Sequence, residues 1–319
     1  MIARDPKELL ALAREGSRTA LARLVTYVES GGAQQLATAA LVYQTPPPYA
    51  IGITGAPGAG KSTLTDRLIT SALTHGSFNG HDAFDQVGVL CIDPSSPFSG
   101  GAILGDRIRM QDHATNEHVF IRSMATRGHL GGLSLAVPDA LRVLGAANFT
   151  IALVETVGVG QMEVDIASAA DTTVVVTNPG WGDAMQASKA GLLEVADIFV
   201  INKADRPGVR ETRRDLEQML ELGEHQWRPL IVETVASTGV GTDELWDAIV
   251  EHRSFLDDGR YEEHRRRRLG RELDQVLAAM LRSRVKDLSH TGAYEAQVDR
   301  LLAGTTDPYR AAETLLSES

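Results

Sequence analysis

The 319-residue sequence predicts an α/β fold: a mostly parallel central sheet with helical extensions before and after it. From residue 49 onward, short β-rich runs alternate with helical stretches. The runs are apolar nearly throughout, as in Thr172-Thr173-Val174-Val175-Val176, and a glycine-rich loop joins the first run to a helix. Strands that are apolar on both faces need helices on both faces, which is the environment of a parallel sheet.

Residues 1–44 place Leu9, Leu10, Leu12 and Ala13, then Leu21, Leu24, Val25 and Val28, at spacings of three and four, and are expected to be helical. Pro46-Pro47-Pro48 ends that prelude. Strands are expected at 49–54, 86–92, 118–123, 149–155, 172–177, 198–202 and 229–234. After about residue 256 the strands stop and a charged helical tail follows. The organisation expected is therefore a helical extension over 1–48, a nucleotide-binding domain over 49–256 and a helical arm over 257–319. In that arm Arg265-Arg266-Arg267-Arg268 is flanked by Glu262, Glu263 and Glu272, and is expected to be a solvated helix face.

A formal net charge of -11 opposes a duty based on neutralising nucleic-acid phosphates or an anionic membrane. No apolar run approaches the roughly 20 residues that span a bilayer, and Met1-Ile2-Ala3-Arg4-Asp5-Pro6-Lys7-Glu8 lacks the apolar core of a signal peptide. A cytoplasmic protein is expected. The single cysteine, Cys91, sits in the apolar run Val87–Ile92 and is expected to be a small buried hydrophobe.

Gly55-Ala56-Pro57-Gly58-Ala59-Gly60-Lys61-Ser62 fills the pattern G-x-x-x-x-G-K-[ST] between the strand Ile51-Gly52-Ile53-Thr54 and a helix from Thr63 onward. Glycines let backbone N–H groups approach phosphates, and the helix points its positive end at them. Lys61 is expected on the β and γ phosphates, and Ser62 on Mg²⁺.

Asn202-Lys203-Ala204-Asp205 follows the strand Ile198–Ile201, so it lies at a strand's carboxyl end, where open α/β sheets bind ligands. The Asp205 carboxylate can accept from both N1–H and the 2-amino group of guanine. Adenine offers neither donor there. A site built for such groups rejects an analogue lacking them by roughly 10⁴ to 10⁵. A second base contact is expected from Val235-Ala236-Ser237, through the backbone N–H of Ala236.

Glu155-Thr156-Val157-Gly158 ends the strand Ile151–Val154 and reads as a switch element with Glu in place of the usual Asp; Glu155 is expected to reach Mg²⁺ directly or through water. Val159 follows Gly158 where Ras-like enzymes carry a water-positioning glutamine, and Gln161 comes later. Asp93, in Cys91-Ile92-Asp93-Pro94 at the carboxyl end of a strand, resembles the aspartate of the dimer-regulated P-loop NTPases that include the metal-centre maturation GTPases, which implies a role in orienting water and the metal shell. Asp106, in Gly105-Asp106-Arg107, is a further candidate, both against helix capping or plain surface charge. Arg107, Arg109, Arg122 and Arg127 are candidates for neutralising phosphate charge, against ordinary salt bridging.

These stretches resemble the methylmalonyl-CoA mutase-associated G proteins of the MeaB type, from about Leu21 to Ile249. The resemblance is carried by Gly55–Ser62, Asp93-Pro94-Ser95-Ser96-Pro97, Gly105–Met110, Arg127-Gly128-His129-Leu130-Gly131-Gly132, Glu155–Gln161, Pro179-Gly180-Trp181-Gly182-Asp183, Gln186 and Lys189-Ala190-Gly191. It implies a GTPase chaperone that docks on an adenosylcobalamin-dependent acyl-CoA mutase, gates cofactor loading, and protects or reactivates the mutase. It also implies a homodimer formed through the C-terminal arm and a mobile signalling segment carrying Asp183, Gln186 and Lys189. Trp181, Met162 and Asp165 depart from the small residues more usual in that family. With no D-x-H-x-x-G string in this chain, the cobalamin belongs to the partner.

Three other functions compete. A metallochaperone GTPase would need a transfer site, and the nine histidines are scattered with no Cys-x-x-Cys. A P-loop kinase is opposed by Asn202–Asp205. A nucleotide-dependent scaffold with negligible turnover differs from a GTPase only in rate.

Overall fold

The computed structural model describes residues 5–75, 86–94, 113, 115–126, 132–156, 166, 169–180, 195–223 and 225–317. Three helices come first: α1 (Pro6–Arg14), α2 (Arg18–Ser30) and α3 (Gly32–Val42). Asp5 caps α1 by accepting from the Lys7 N–H, and Ser17 caps α2 by accepting from Ala20 N–H, each satisfying an amide that the first turn leaves unpaired. Gly31, at φ 78°, separates α2 from α3.

The α/β unit follows as β1 (Tyr49–Gly55), α4 (Lys61–His75), β2 (Val87–Pro94), β3 (Val119–Thr126), α5 (Gly132–Ala146), β4 (Ile151–Thr156), β5 (Thr172–Thr177), β6 (Ile198–Asn202), α6 (Val209–Glu221), β7 (Leu230–Thr234) and α7 (Thr242–Asp257). All seven expected strands are present, each displaced by at most a few residues, in the order β3-β2-β4-β1-β5-β6-β7 with every pairing parallel.

Why this sequence takes this sheet is visible in its side-chain alternation. β1, β4, β5 and β6 are buried along their whole length. Successive residues sort to opposite faces. Ile51, Ile53, Ile151 and Leu153 join Leu64, Leu68 and Ile249 of α4 and α7 on one face. Ala50, Ala152 and Val154 join Leu141 and Leu144 of α5 on the other. Leu21, Leu24, Val25 and Val28 of α2 are buried in that second core, so the N-terminal helices cover the sheet through α5 and the β3 edge. Each such aliphatic side chain contributes about 1.5–3 kcal/mol on burial.

Beyond α7 come α8 (Tyr261–Leu288), α9 (Gly292–Leu302) and α10 (Pro308–Ser317). The chain forms two compact units, Met1–Gly128 with Gly132–Glu272, and His129–Gly131 with Leu273–Ser319. In the second unit α9 and α10 pack on each other around Ala311, and Leu273, Leu277, Met280, Leu281 and Val285 of α8 are exposed.

The basic run departs from its expectation. Arg268 donates to Asp171 Oδ1 at 2.7 Å, against a carboxylate only 2% exposed, and Glu272 chelates Arg142 at 2.6 and 2.7 Å. The face of α8 that carries residues 268 and 272 therefore holds the helix root to the domain, while Arg265, Arg266 and Arg267 are exposed.

Candidate nucleotide site

The carboxyl ends of β1 and β6 bring the phosphate loop and the Asn202–Asp205 loop together, beside the end of β4 and the turn after β7. Gly55 ends β1 at φ 129°, a backbone conformation that side chains oppose, and a β-carbon there would stand 2.1 Å from the Val176 carbonyl of β5. Only glycine lets the chain leave the sheet so close to its neighbour. The loop then enters α4 at Lys61, with Leu64 N–H donating to Gly60 O at 3.0 Å.

Lys61 and Ser62 are buried, at 6% and 7% exposure. The Lys61 ammonium donates to the carbonyls of Gly55 at 2.8 Å and Ala56 at 3.0 Å, which holds it inside the loop it is expected to serve. The Ser62 hydroxyl donates to Glu155 Oε1 at 2.5 Å. That pair joins the first turn of α4, the helix that follows β1, to the end of β4, the strand beside β1 in the sheet. Beneath it, Thr156 donates to Thr54 Oγ1 at 3.0 Å, tying the ends of β4 and β1.

A second set of bonds converges on Asn202. Its amide donates to the Ala59 carbonyl at 2.8 Å, and its Oδ1 accepts from Thr234 Oγ1 at 3.1 Å and from Ala236 N–H at 3.0 Å. One side chain thus ties the phosphate loop to the turn after β7. The Ala236 amide, expected on the guanine oxygen, is bonded to Asn202 in this structure. Lys203 adopts φ 59°, rare for a residue with a side chain, and its ammonium donates to Gly58 O at 2.6 Å. Asp205 follows, exposed beside these loops.

Arg67 has no sequence signal for a role here. From the second turn of α4 it donates through Nε to Ala236 O at 3.0 Å and through Nη2 to Ser237 O at 3.1 Å. Together with Asn202 it fixes the Val235–Gly239 turn, which is also pinned by Val235 N–H to Val240 O at 2.8 Å.

Arg122, a candidate for phosphate neutralisation, is engaged elsewhere. It donates to Thr26 Oγ1 at 3.1 Å and pairs with Glu29 at 3.3 Å, both on α2, so it fastens the N-terminal helices to β3. The backbone of Asp93 stands in β2, in register with Ala125. Its side chain lies outside the described residues, as do Asp106, Gly158, Gln161, Asp183, Gln186, Lys189, Trp181, Met162, Asp165, Arg107, Arg109 and Arg127.

Residues 21–290 match the family described as methylmalonyl-CoA mutase-associated GTPase MeaB. The chain belongs to this family. It is accordingly a P-loop GTPase, and its relatives agree. A protein of Pyrococcus abyssi named as a GTPase is 48% identical over 318 residues, covering 98% of this chain and 96% of that one. A fused isobutyryl-CoA mutase of Cupriavidus metallidurans is 40% identical over 214 residues, which is 66% of this chain and 19% of the larger protein. Among solved structures, a LAO/AO transport system kinase superposes with a TM-score of 0.72 at 25% identity, covering 99% of this chain and 98% of that one. Among the described residues of this MeaB-family chain, no helix is long and apolar enough to cross a membrane.

Proposed function

We propose that this MeaB-family GTPase is a chaperone that gates cofactor loading into an adenosylcobalamin-dependent acyl-CoA mutase, methylmalonyl-CoA mutase or a close relative, and protects or reactivates it. The observation that carries this reading is the fused isobutyryl-CoA mutase, in which a segment 40% identical to this chain shares one polypeptide with a mutase. The partner, not this chain, holds the cobalamin.

The geometry supports GTP and GDP as the ligands. Backbone N–H groups of Gly55–Thr63 receive the phosphates, with Lys61 neutralising the β and γ oxygens, while Asp205 takes the two guanine donors. Asn202 and Lys203 hold the base loop to Ala59 and Gly58, so that phosphate and base contacts form as one unit. Ser62 and Glu155 place a hydroxyl and a buried carboxylate together at the loop mouth, a hard oxygen pair of the kind that suits Mg²⁺. When bound, the ion neutralises charge developing on the transferred phosphoryl group. Asp93 and Asp106 would contribute to holding the ion and to orienting water; Gly158 and Gln161 would carry the nucleotide state outward, and Asp183, Gln186 and Lys189 would signal it to the partner. Hydrolysis is slow alone and stimulated by the mutase, and the protein acts in the cytoplasm.

The arm supports a homodimer. On α8 the exposed residues Leu273, Val276, Leu277, Met280, Leu281 and Val285 recur at three and four, an apolar seam suited to a second helix. Leu277→Glu with Met280→Glu should convert a dimer to a monomer in light scattering.

The deciding experiment mixes the protein with an apo-mutase and follows GTP turnover and adenosylcobalamin uptake together. GTP hydrolysis should rise severalfold with mutase, and uptake should differ between GTP and a non-hydrolysable analogue. Turnover and uptake that ignore each other would overturn the chaperone role and leave the GTPase assignment intact.

A further inference from the structure

The root of α8 encloses a feature that nucleotide chemistry does not use. Residues 265, 268, 269 and 272 lie on one face of the helix, being three, four and seven positions apart. Two of them are anchored: Arg268 to Asp171 at 2.7 Å, and Glu272 to Arg142 at 2.6 Å. Between those ion pairs and the Tyr43–Pro48 segment lies a partly enclosed cavity of about 90 Å³. Pro46, Pro138, Leu141, Ala169 and Leu269 supply an apolar wall, Arg142, Arg268 and Glu272 belong to a polar one of comparable extent, and Arg265 stands among its lining residues.

The charges around this cavity are unequally committed. Arg142 is only 7% exposed, makes two bonds to Glu272, approaches Asp139 at 3.3 Å and lies over the Tyr43 ring at 4.9 Å. Burial opposes its charge, but Glu272 and Asp139 outweigh that and its pKa moves up. Arg268 is equally engaged, by Asp171 and the Ala169 carbonyl. Arg265, by contrast, has no ion-pair partner among the described residues and is exposed. A cavity with one apolar wall, its other charges paired and one guanidinium without an ion pair among the described residues, suits a compact apolar body bearing a single anionic head. Its volume, several times that of one water-sized probe, limits the body to a few carbon atoms.

We propose that this cavity is a binding site for a small amphipathic carboxylate, whose chain lies among Pro46, Pro138, Leu141 and Leu269 and whose carboxylate meets Arg265. Because the site shares its walls between α5, the Tyr43–Pro48 segment and α8, occupancy braces the root of the helix against the GTPase domain. The site is independent of the mutase partnership and of the nucleotide loops.

Butyrate serves as the probe on the full-length protein, with 1-butanol and butylammonium as neutral and cationic counterparts, read by calorimetry and by methyl NMR shifts of Leu141 and Leu269. Butyrate should bind saturably and shift both leucines, with the alcohol and the amine at least tenfold weaker. Arg265→Gln should weaken butyrate at least tenfold. Leu269→Trp, which fills the cavity from the exposed helix, should abolish the shift at Leu141 while GDP affinity stays unchanged, showing that the fold survives. Absence of saturable butyrate binding would overturn the site. Equal binding of butanol, or undiminished binding by Arg265→Gln, would overturn the carboxylate head.

Discussion

Asn202 and Gly60 meet so closely that a β-carbon on Gly60 would stand 2.3 Å from Asn202 Nδ2. Gly60 also adopts φ 95°, which costs a residue with a side chain roughly 1–3 kcal/mol. Both penalties fall on the bond from Asn202 to Ala59 that joins the base loop to the phosphate loop. Gly60→Ala should therefore lower affinity for GDP and GTP by at least tenfold while the melting temperature moves by only a few degrees, as read by nucleotide titration and calorimetry.

Glu155, 3% exposed at the end of β4, accepts from the Ser62 hydroxyl, which sets a buried carboxyl group beside the hydroxyl proposed to hold Mg²⁺. Glu155→Gln keeps an acceptor for the Ser62 hydroxyl and removes the charge. GTP hydrolysis should fall on the order of 10²-fold. GDP affinity measured with Mg²⁺ chelated should change little, whereas the gain in affinity on adding Mg²⁺ should shrink. An unchanged gain would remove Glu155 from the metal shell.

Asp205 is exposed, and its carboxylate is expected to accept both the N1–H and the 2-amino group of guanine. Asp205→Asn replaces one acceptor by a donor. GTP affinity should drop by at least 10²-fold, and xanthosine triphosphate, which carries an oxygen in place of the 2-amino group, should gain relative to it. Competition binding of the two nucleotides checks this, and a retained preference for GTP would place base reading elsewhere.

The sheet was legible because strands buried on both faces must be apolar at nearly every position, and Ile51, Val154, Val175 and Val200 meet that demand locally. Gly55–Ser62 was legible for a related reason: the approach of β1 to Val176 tolerates no side chain, so the constraint is written in residue type at fixed spacing. Arg67 was not legible, because its partners Ala236 and Ser237 are backbone carbonyls 169 and 170 positions away, and carbonyls have no sequence identity. The same holds for Arg122 and Arg268. An arginine's charge is plain in the sequence, but whether it meets a phosphate, a solvated surface or Glu29 and Asp171 depends on tertiary placement.

The amino end of the sheet, opposite the nucleotide loops, holds two groups whose titrations act on stability with opposite signs between about pH 4 and 6.5. There the His252 ring bonds Thr172 Oγ1 through Nδ1 at 2.8 Å, and its Nε2 lies 3.3 Å from Asp197 Oδ1, with Trp227 packed 4.9 Å away. Burial pulls the His252 pKa down to about 3, so the contact joins a neutral imidazole to a carboxyl group instead of forming a full ion pair. Burial likewise pushes Asp197 up to about 7; the Thr173 N–H bond offsets part of this and Asp171 adds to it. A raised carboxyl pKa stabilises the fold fully below the unfolded value near 3.8 and loses that contribution progressively as pH rises from there to about 7, above which both states are ionised and the slope vanishes. For His252 the sign is opposite: its contribution is present above about 6.5 and lost as pH falls toward 3, so between about pH 4 and 6.5 it offsets the slope from Asp197. Asp197 thereby cancels much of the loss that His252 alone would impose on acidification. With 26% of its side chain exposed, solvent tempers the effect to about 1–2 kcal/mol. Asp197→Asn should therefore steepen the loss of denaturant stability as pH falls from about 6.5 to 4, and an identical pH dependence in both proteins would show that Asp197 is ionised throughout.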